Sequence, residues 1–167
     1  MTDVVDKETR SRIMSSIKGK DTKGEVFLGR ALWKVGPRYN RRNYSGLPGK
    51  PDFVYLGLRA IVMFNGCFWH KHQCRICKQP ASRKWKEKID ANRDRDRRNL
   101  KKLEEAGWRI FIVWECAVPP KGKASYEEVA GIIRGWVLGD APNMQFSASD
   151  GLIELPAELE FQGDSRE

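Results

Sequence analysis

The chain has 167 residues, 40% of them hydrophobic and 32% charged, with a formal net charge of +9. That length supports one domain with a core of its own, and the positive excess favours a polyanionic partner, nucleic acid first. The charged N-terminus has no apolar signal-peptide core, and no apolar run approaches the ~20 residues that span a bilayer. A cytosolic protein with no membrane partner is therefore expected, and in a reducing compartment its four cysteines point to metal rather than to disulfides.

In chain order, residues 1–20 are polar and basic with a thin stripe of Ile13, Met14 and Ile17, which suits a short helix or an arm that orders on a partner. Thr22 and Glu25 form a capping-box pattern ahead of Leu28, Ala31, Leu32 and Val35 at helical spacing, and Gly36-Pro37 ends that helix. Residues 37–50 read as a basic loop. Residues 52–56 read as a strand, Gly57-Leu58-Arg59 as a turn, and Ala60 to Phe64 as a second, more buried strand. A long helix is expected from about Lys84 to Ala106, stopped by Gly107. Residues 108–114 form an almost wholly apolar, hence central, strand. After Pro119-Pro120, Ser125 and Glu128 form a second capping box before Val129, Ile132, Ile133 and Trp136. A short strand follows near Gly151 to Leu155, and residues 156–167 read as a loose tail. The pattern predicts an α/β domain, a small mixed sheet flanked by helices.

The long helix carries an unusual stripe. Trp85, Ile89, Asn92, Asp96, Leu100 and Leu103 share one face by their spacing, with two polar residues at its centre. Buried without partners they would cost stability, so either the stripe turns to solvent there or this face borders a cleft into which Asp96 points.

Between the second strand and this helix runs Gly66-Cys67-Phe68-Trp69-His70-Lys71-His72-Gln73-Cys74, which holds both histidines and two of the four cysteines. Cys67, His72, Cys74 and Cys77 are close together and Cys116 ends the third strand, so five donors compete for the four places of a structural zinc. Spacing alone favours the set that includes Cys77. Asp52, at the head of a strand after a Gly/Pro loop, is a candidate ligand for a hard cation. With Glu25, Asp96 and His70 it makes a set able to hold a metal and activate water for phosphodiester hydrolysis. Glu25 also has a purely local role as the closing residue of its capping box.

Together these segments resemble the very-short-patch-repair (Vsr) mismatch endonucleases. The likeness is carried in order by Asp6-Lys7 to Met14, Asp21-Thr22 with Glu25, Leu47-Pro48-Gly49-Lys50-Pro51-Asp52-Phe53-Val54, Gly66-Cys67-Phe68-Trp69-His70, Trp85, Glu87-Lys88-Ile89, Asn92, Arg95-Asp96-Arg97-Arg98, and Gly107-Trp108-Arg109 to Trp114-Glu115-Cys116. The resemblance implies a restriction-endonuclease-like fold of the PD-(D/E)xK class, in which Phe68-Trp69-His70 stands where Glu-x-Lys is usual. It also implies Mg²⁺-dependent nicking of double-stranded DNA 5′ of the thymine in a T·G mismatch, the product of 5-methylcytosine deamination. Asp52 and the Phe64 backbone carbonyl would bind Mg²⁺, His70 would be the general base oriented by Asp96, and Glu25 would hold water at the metal. Phe68, Trp69 and Trp85 would wedge into the stack from the major groove and Met14 from the minor groove, with Lys88 and Asn92 approaching the mismatched bases. The family's structural Zn²⁺ positions fall on Cys67, His72, Cys74 and Cys116. Cys77 departs from the family pattern, and Lys71 and Gln73 replace histidines common there. The expected organisation is a DNA-contacting arm (1–20), an endonuclease domain (21–155) and a tail (156–167). The protein would act as a monomer at the bacterial nucleoid, with mismatch-repair proteins as candidate partners. Two alternatives remain at this stage, a related nuclease with another DNA target and a non-catalytic zinc-stabilised DNA-binding module.

Overall fold

A computed structural model of the chain describes residues 21–78, 80 and 82–156, together with Glu8. The rest of the expected arm, Met14 included, and residues 157–167 of the expected tail lie outside this set. Among the described residues no helix is long and apolar enough to cross a membrane.

Among the described residues, six strands form one sheet in chain order: β1 (Arg41–Arg42), β2 (Phe53–Tyr55), β3 (Ala60–Asn65), β4 (Arg109–Trp114), β5 (Met144–Ser147) and β6 (Gly151–Glu154). The outer pairs are antiparallel, whereas β3–β4 and β4–β5 are parallel. Each parallel pair needs a long crossover. Helix α2 (Arg83–Glu105) lies in the first crossover and α3 (Tyr126–Leu138) in the second, while α1 (Lys23–Val35) precedes the sheet.

The strands alternate as a sheet covered on both faces must. Phe53, Val62, Phe111 and Val113 pack with Leu28 and Leu32 of α1 and with Val129, Ile133 and Trp136 of α3. Val54, Ile61, Ile110, Ile112 and Trp114 face the other way, with Leu100 and Leu103 of α2. Both helices start where expected, but only the second start is a full capping box: Ser125 and Glu128 cap each other reciprocally, whereas Thr22 accepts the Glu25 N–H while the Glu25 carboxylate takes the Asp21 N–H instead of that of Thr22.

Three features differ from the sequence reading. The basic loop contains β1, whose two exposed arginines have no apolar alternation to announce them. The expected turn at 57–59 is a 3₁₀ turn, Leu56–Leu58, followed by Arg59 in the left-handed region. A further strand, β5, forms at the edge of the parallel pair.

A second 3₁₀ turn, Glu115–Ala117, leaves β4 and carries Cys116. Gly122 presses directly on it: a Cβ there would lie 2.1 Å from the Ala117 carbonyl carbon and 2.2 Å from the Cys116 oxygen. Backbone cannot yield like a flexible side chain, so Gly122→Ala is expected to cost about 1–3 kcal/mol of stability and to weaken metal retention at Cys116. Thermal melting with metal analysis checks this; an unchanged melting temperature would show that the segment accommodates the methyl.

Candidate active site and metal cluster

Asp52 stands at the entry to β2, across the antiparallel register from the end of β3, and its Oδ2 accepts the backbone N–H of Phe64 at 2.7 Å. Burial raises its carboxyl most. The Phe64 N–H lowers it, Glu25 raises it, Arg42 lowers it and Asp21 raises it again, leaving it at about 7. A carboxyl held near neutrality by burial and by like charges marks Asp52 as a candidate functional acid.

Glu25 is buried with its carboxylate engaged twice, accepting the Asp21 N–H at 2.7 Å and the Thr22 hydroxyl at 2.9 Å. It therefore serves the helix start and also places its charge where Asp52 feels it. Asp21, at φ 55°, accepts from Arg42 at 2.9 Å and from Asn43 at 3.3 Å. Asp21 and Arg42 complete this acid corner and were missed in the sequence, because one reads as the start of a helix and the other as part of a solvated basic loop. The corner also depends on a glycine: a Cβ on Gly24 would sit 2.4 Å from the Phe64 ring, so the first turn of α1 and the residue that holds Asp52 interlock.

β3 links this corner to the nine-residue loop. After Asn65 the backbone makes one tight turn, in which His70 N–H donates to Gly66 at 3.2 Å, Lys71 N–H to Phe68 at 3.4 Å and His72 N–H to Cys67 at 2.9 Å. Lys71 has φ 52°. This is the Schellman pattern of a helix end, with Lys71 in the left-handed position. The turn throws Phe68, Trp69 and His70 to one side and Cys67 and His72 to the other.

His70 Nδ1 meets Asp96 Oδ2 at 2.5 Å. Asp96 is on the α2 stripe and half-buried, so one of the two polar residues at the centre of that stripe has a partner. Phe68 and Trp69 form an edge-on pair with centroids 5.2 Å apart, and Trp85 closes the group at 5.7 Å from Trp69. The ammonium of Lys88 lies over Trp85 and Trp69, 5.0 and 5.7 Å from their centroids. All three rings are partly exposed, and Asn92 lies half-buried between Lys88 and Asp96 along the helix. Three partly exposed rings capped by a cation suit stacking against bases better than they suit a core.

On the other side of the turn, Cys67, His72, Cys74 and Cys116 bring one ligand atom each within 4.8 Å of one another. His72 Nδ1 is 3.4 Å from Cys67 Sγ and 3.7 Å from Cys116 Sγ, and its ring stacks on Trp114 at 4.1 Å. A Cys₃His set this tight fits tetrahedral zinc. The hydrogen bond between the two buried thiols draws Cys116 toward thiolate while Cys67 is pushed up, the competition for one proton that a metal removes. Cys77 is outside the cluster, which corrects the choice made from spacing. The cause is the parallel register, in which Asn65 pairs with Trp114 and so sets Cys67 and Cys116 two residues beyond the same rung.

A mixed sheet with helices on both faces and an acid at the entry to a strand are features of the restriction-endonuclease-like nucleases, and the histidine–aspartate pair stands on the loop where that class usually carries Glu-x-Lys. The model of the family described as DNA mismatch endonuclease Vsr matches residues 2–76. Over 147 residues the chain is 42% identical to the DNA mismatch endonuclease Vsr of Escherichia coli K12, covering 87% of this chain and 94% of that protein. It is 40% identical to the type II nicking enzyme V.XorIIP of Xanthomonas oryzae, over 73% of this chain and 90% of that protein. It is 39% identical to the type II nicking enzyme V.NmeAIP of Neisseria meningitidis, over 72% and 87%. The chain belongs to the Vsr family of DNA nicking endonucleases.

Proposed function

We propose that this chain nicks one strand of duplex DNA on the 5′ side of the thymine in a T·G mismatch, with magnesium as its catalytic ion. The observation that carries the reading is the His70–Asp96 pair at 2.5 Å, held on the loop that leaves the strand contacting Asp52. Asp52 and the Phe64 carbonyl would hold Mg²⁺, with Glu25 ordering water beside them. The acid corner suits a hard divalent cation, which would relieve the repulsion felt at Asp52. Magnesium, when bound, supplies charge neutralisation at the phosphate.

His70 takes the proton of the attacking water. With Nδ1 engaged by Asp96, its Nε2 is the nitrogen left to accept. Phe68, Trp69 and Trp85 enter the base stack, with Lys88 and Asn92 turned toward the base edges. A mismatched step costs less to unstack than a paired one, so inserted rings favour it. Cys67, His72, Cys74 and Cys116 would bind a structural zinc that keeps the loop rigid.

The test is single-turnover nicking of a duplex with one T·G pair and of its fully paired counterpart. Cleavage of the T·G duplex alone supports the reading; folded protein that leaves it intact in Mg²⁺ sinks it. His70→Ala is expected to cut about 10²–10⁴ times more slowly while its Kd for DNA stays within about threefold. A second reading rests on the relatives named as type II nicking enzymes: a target chosen by sequence without a mismatch. Equal cleavage of the paired duplex would favour it.

A further inference from the structure

We infer that Lys71 and Asp90 are positioning residues for the nicking reaction, a clamp that fixes the His70 segment against α2; this rests on the assignment of His70 as the base. Lys71 Nζ contacts Asp90 Oδ1 at 2.6 Å, and Lys71 follows His70 directly. Two observations separate this pair from an ordinary surface ion pair. The first is backbone conformation. Lys71 sits at φ 52°, in the left-handed position that closes the loop's Schellman turn, where glycine is the residue of least strain. A glycine there would close the same turn but have nothing to reach Asp90. A long cation kept in a conformation that disfavours its own Cβ points to use of its side chain.

The second is placement. Asp90 and Asp96 are on the same helix, so Lys71 and His70, neighbours in the chain, are tied to two points along α2. One bond to Asp96 leaves the imidazole free to swing about that contact; the second tie removes the swing. The lysine side chain is only 20% exposed, so it lies along the protein surface rather than out in solvent. The metal cluster fixes the loop from its other side through Cys67, His72 and Cys74. His70 therefore lies between two anchors, and small misplacements of a base are costly because proton transfer needs hydrogen-bond distance.

The experiment is single-turnover nicking and DNA binding by zinc-loaded full-length protein on a T·G duplex. Variants are Lys71→Gly, Asp90→Asn, the charge exchange K71D with D90K, and each single change in a His70→Ala background. Lys71→Gly is expected to melt at or above the wild-type temperature, to keep its zinc and to bind DNA with unchanged Kd, yet to cut about tenfold more slowly. Asp90→Asn should match it, and the exchange should restore most of the rate, since aspartate tolerates the left-handed region. In the His70→Ala background neither change should slow cutting further. The inference is overturned if Lys71→Gly cuts at the wild-type rate. It is also overturned if Lys71→Gly weakens DNA binding and flattens its salt dependence while Asp90→Asn does neither, which would make Lys71 a phosphate contact. If His70→Ala itself cuts normally, the base assignment fails; a slow His70→Ala with a fast Lys71→Gly removes only the clamp.

Discussion

Cys116→Ala is expected to lose its bound zinc and to melt more than about 10 °C lower, while Cys77→Ala retains one zinc per chain and melts within about 3 °C of wild type. The two cysteines differ in place, not in chemistry. Cys116 brings its sulfur into the group with Cys67, His72 and Cys74, whereas Cys77 lies half-buried beside them and outside the group. Removing a ligand leaves thiols and a histidine facing one another without the ion that reconciles them. Structural zinc contributes many kcal/mol to folding in small metal domains, and even part of that exceeds the ~2–4 °C per kcal/mol sensitivity of a chain this long. Truncating a half-buried thiol outside the site removes a small apolar contact. Metal analysis and thermal melting of the two variants decide it; zinc lost from Cys77→Ala and kept in Cys116→Ala would restore the assignment by spacing.

Asp52→Asn should abolish nicking, with a loss of at least about 10³-fold, and should make the magnesium-free protein more stable above neutral pH. The unfolded chain gives up this proton near pH 3.8, whereas the folded protein keeps it to about 7. The folded state thus binds the proton more tightly, and stability falls as pH rises across that interval, levelling off above it. Asparagine carries no charge to bury and still presents an oxygen to the Phe64 N–H, so its variant escapes the loss, on the order of a few kcal/mol. Urea midpoints at pH 5 and pH 8, in zinc-replete buffer without magnesium, should diverge, with the variant ahead at pH 8. Parallel midpoints at both values would mean that the carboxylate is not penalised in the fold. Gain in stability with loss of activity from a single isosteric change is the mark of a site held under electrostatic strain for its ligand.

Much of this architecture is legible in the chain because local signals agreed with each other. Two capping-box patterns, of which only Ser125–Glu128 closes reciprocally, together with Gly107 and the apolar run of β4 place helices and the central strand to within a few residues. The stripe of α2 was readable as a face with a polar interruption, and its partner, His70, lay in the one loop rich in metal and aromatic chemistry. What could not be read is what the sheet register creates. Cys116 joins Cys67 because β3 and β4 run parallel and in step, a relation between distant segments that spacing within one segment cannot express. Asp21 and Arg42 likewise come from separate segments, 21 residues apart, and Arg42 sits on an exposed two-residue strand that resembles any basic loop. Lys71 looked like a simple loss of histidine until its backbone angle and its partner on α2 were seen together.

The tight turn after β3 also has a consequence for how this loop can vary in length. Cys67 and His72, members of the Cys/His cluster, flank Phe68, Trp69 and His70 on a single tight turn closed at Lys71. Each residue advances such a turn by about 100°, so one inserted residue between Cys67 and His72 would rotate everything after it by more than a quarter circle. An insertion before His70 would carry that imidazole away from Asp96, and one at any point would carry His72 away from Cys67 and Cys116. The turn's hydrogen bonds and the Cys/His cluster together fix the residue count of this segment, so an insertion is expected to disrupt the cluster more than a substitution at an exposed position such as Gln73.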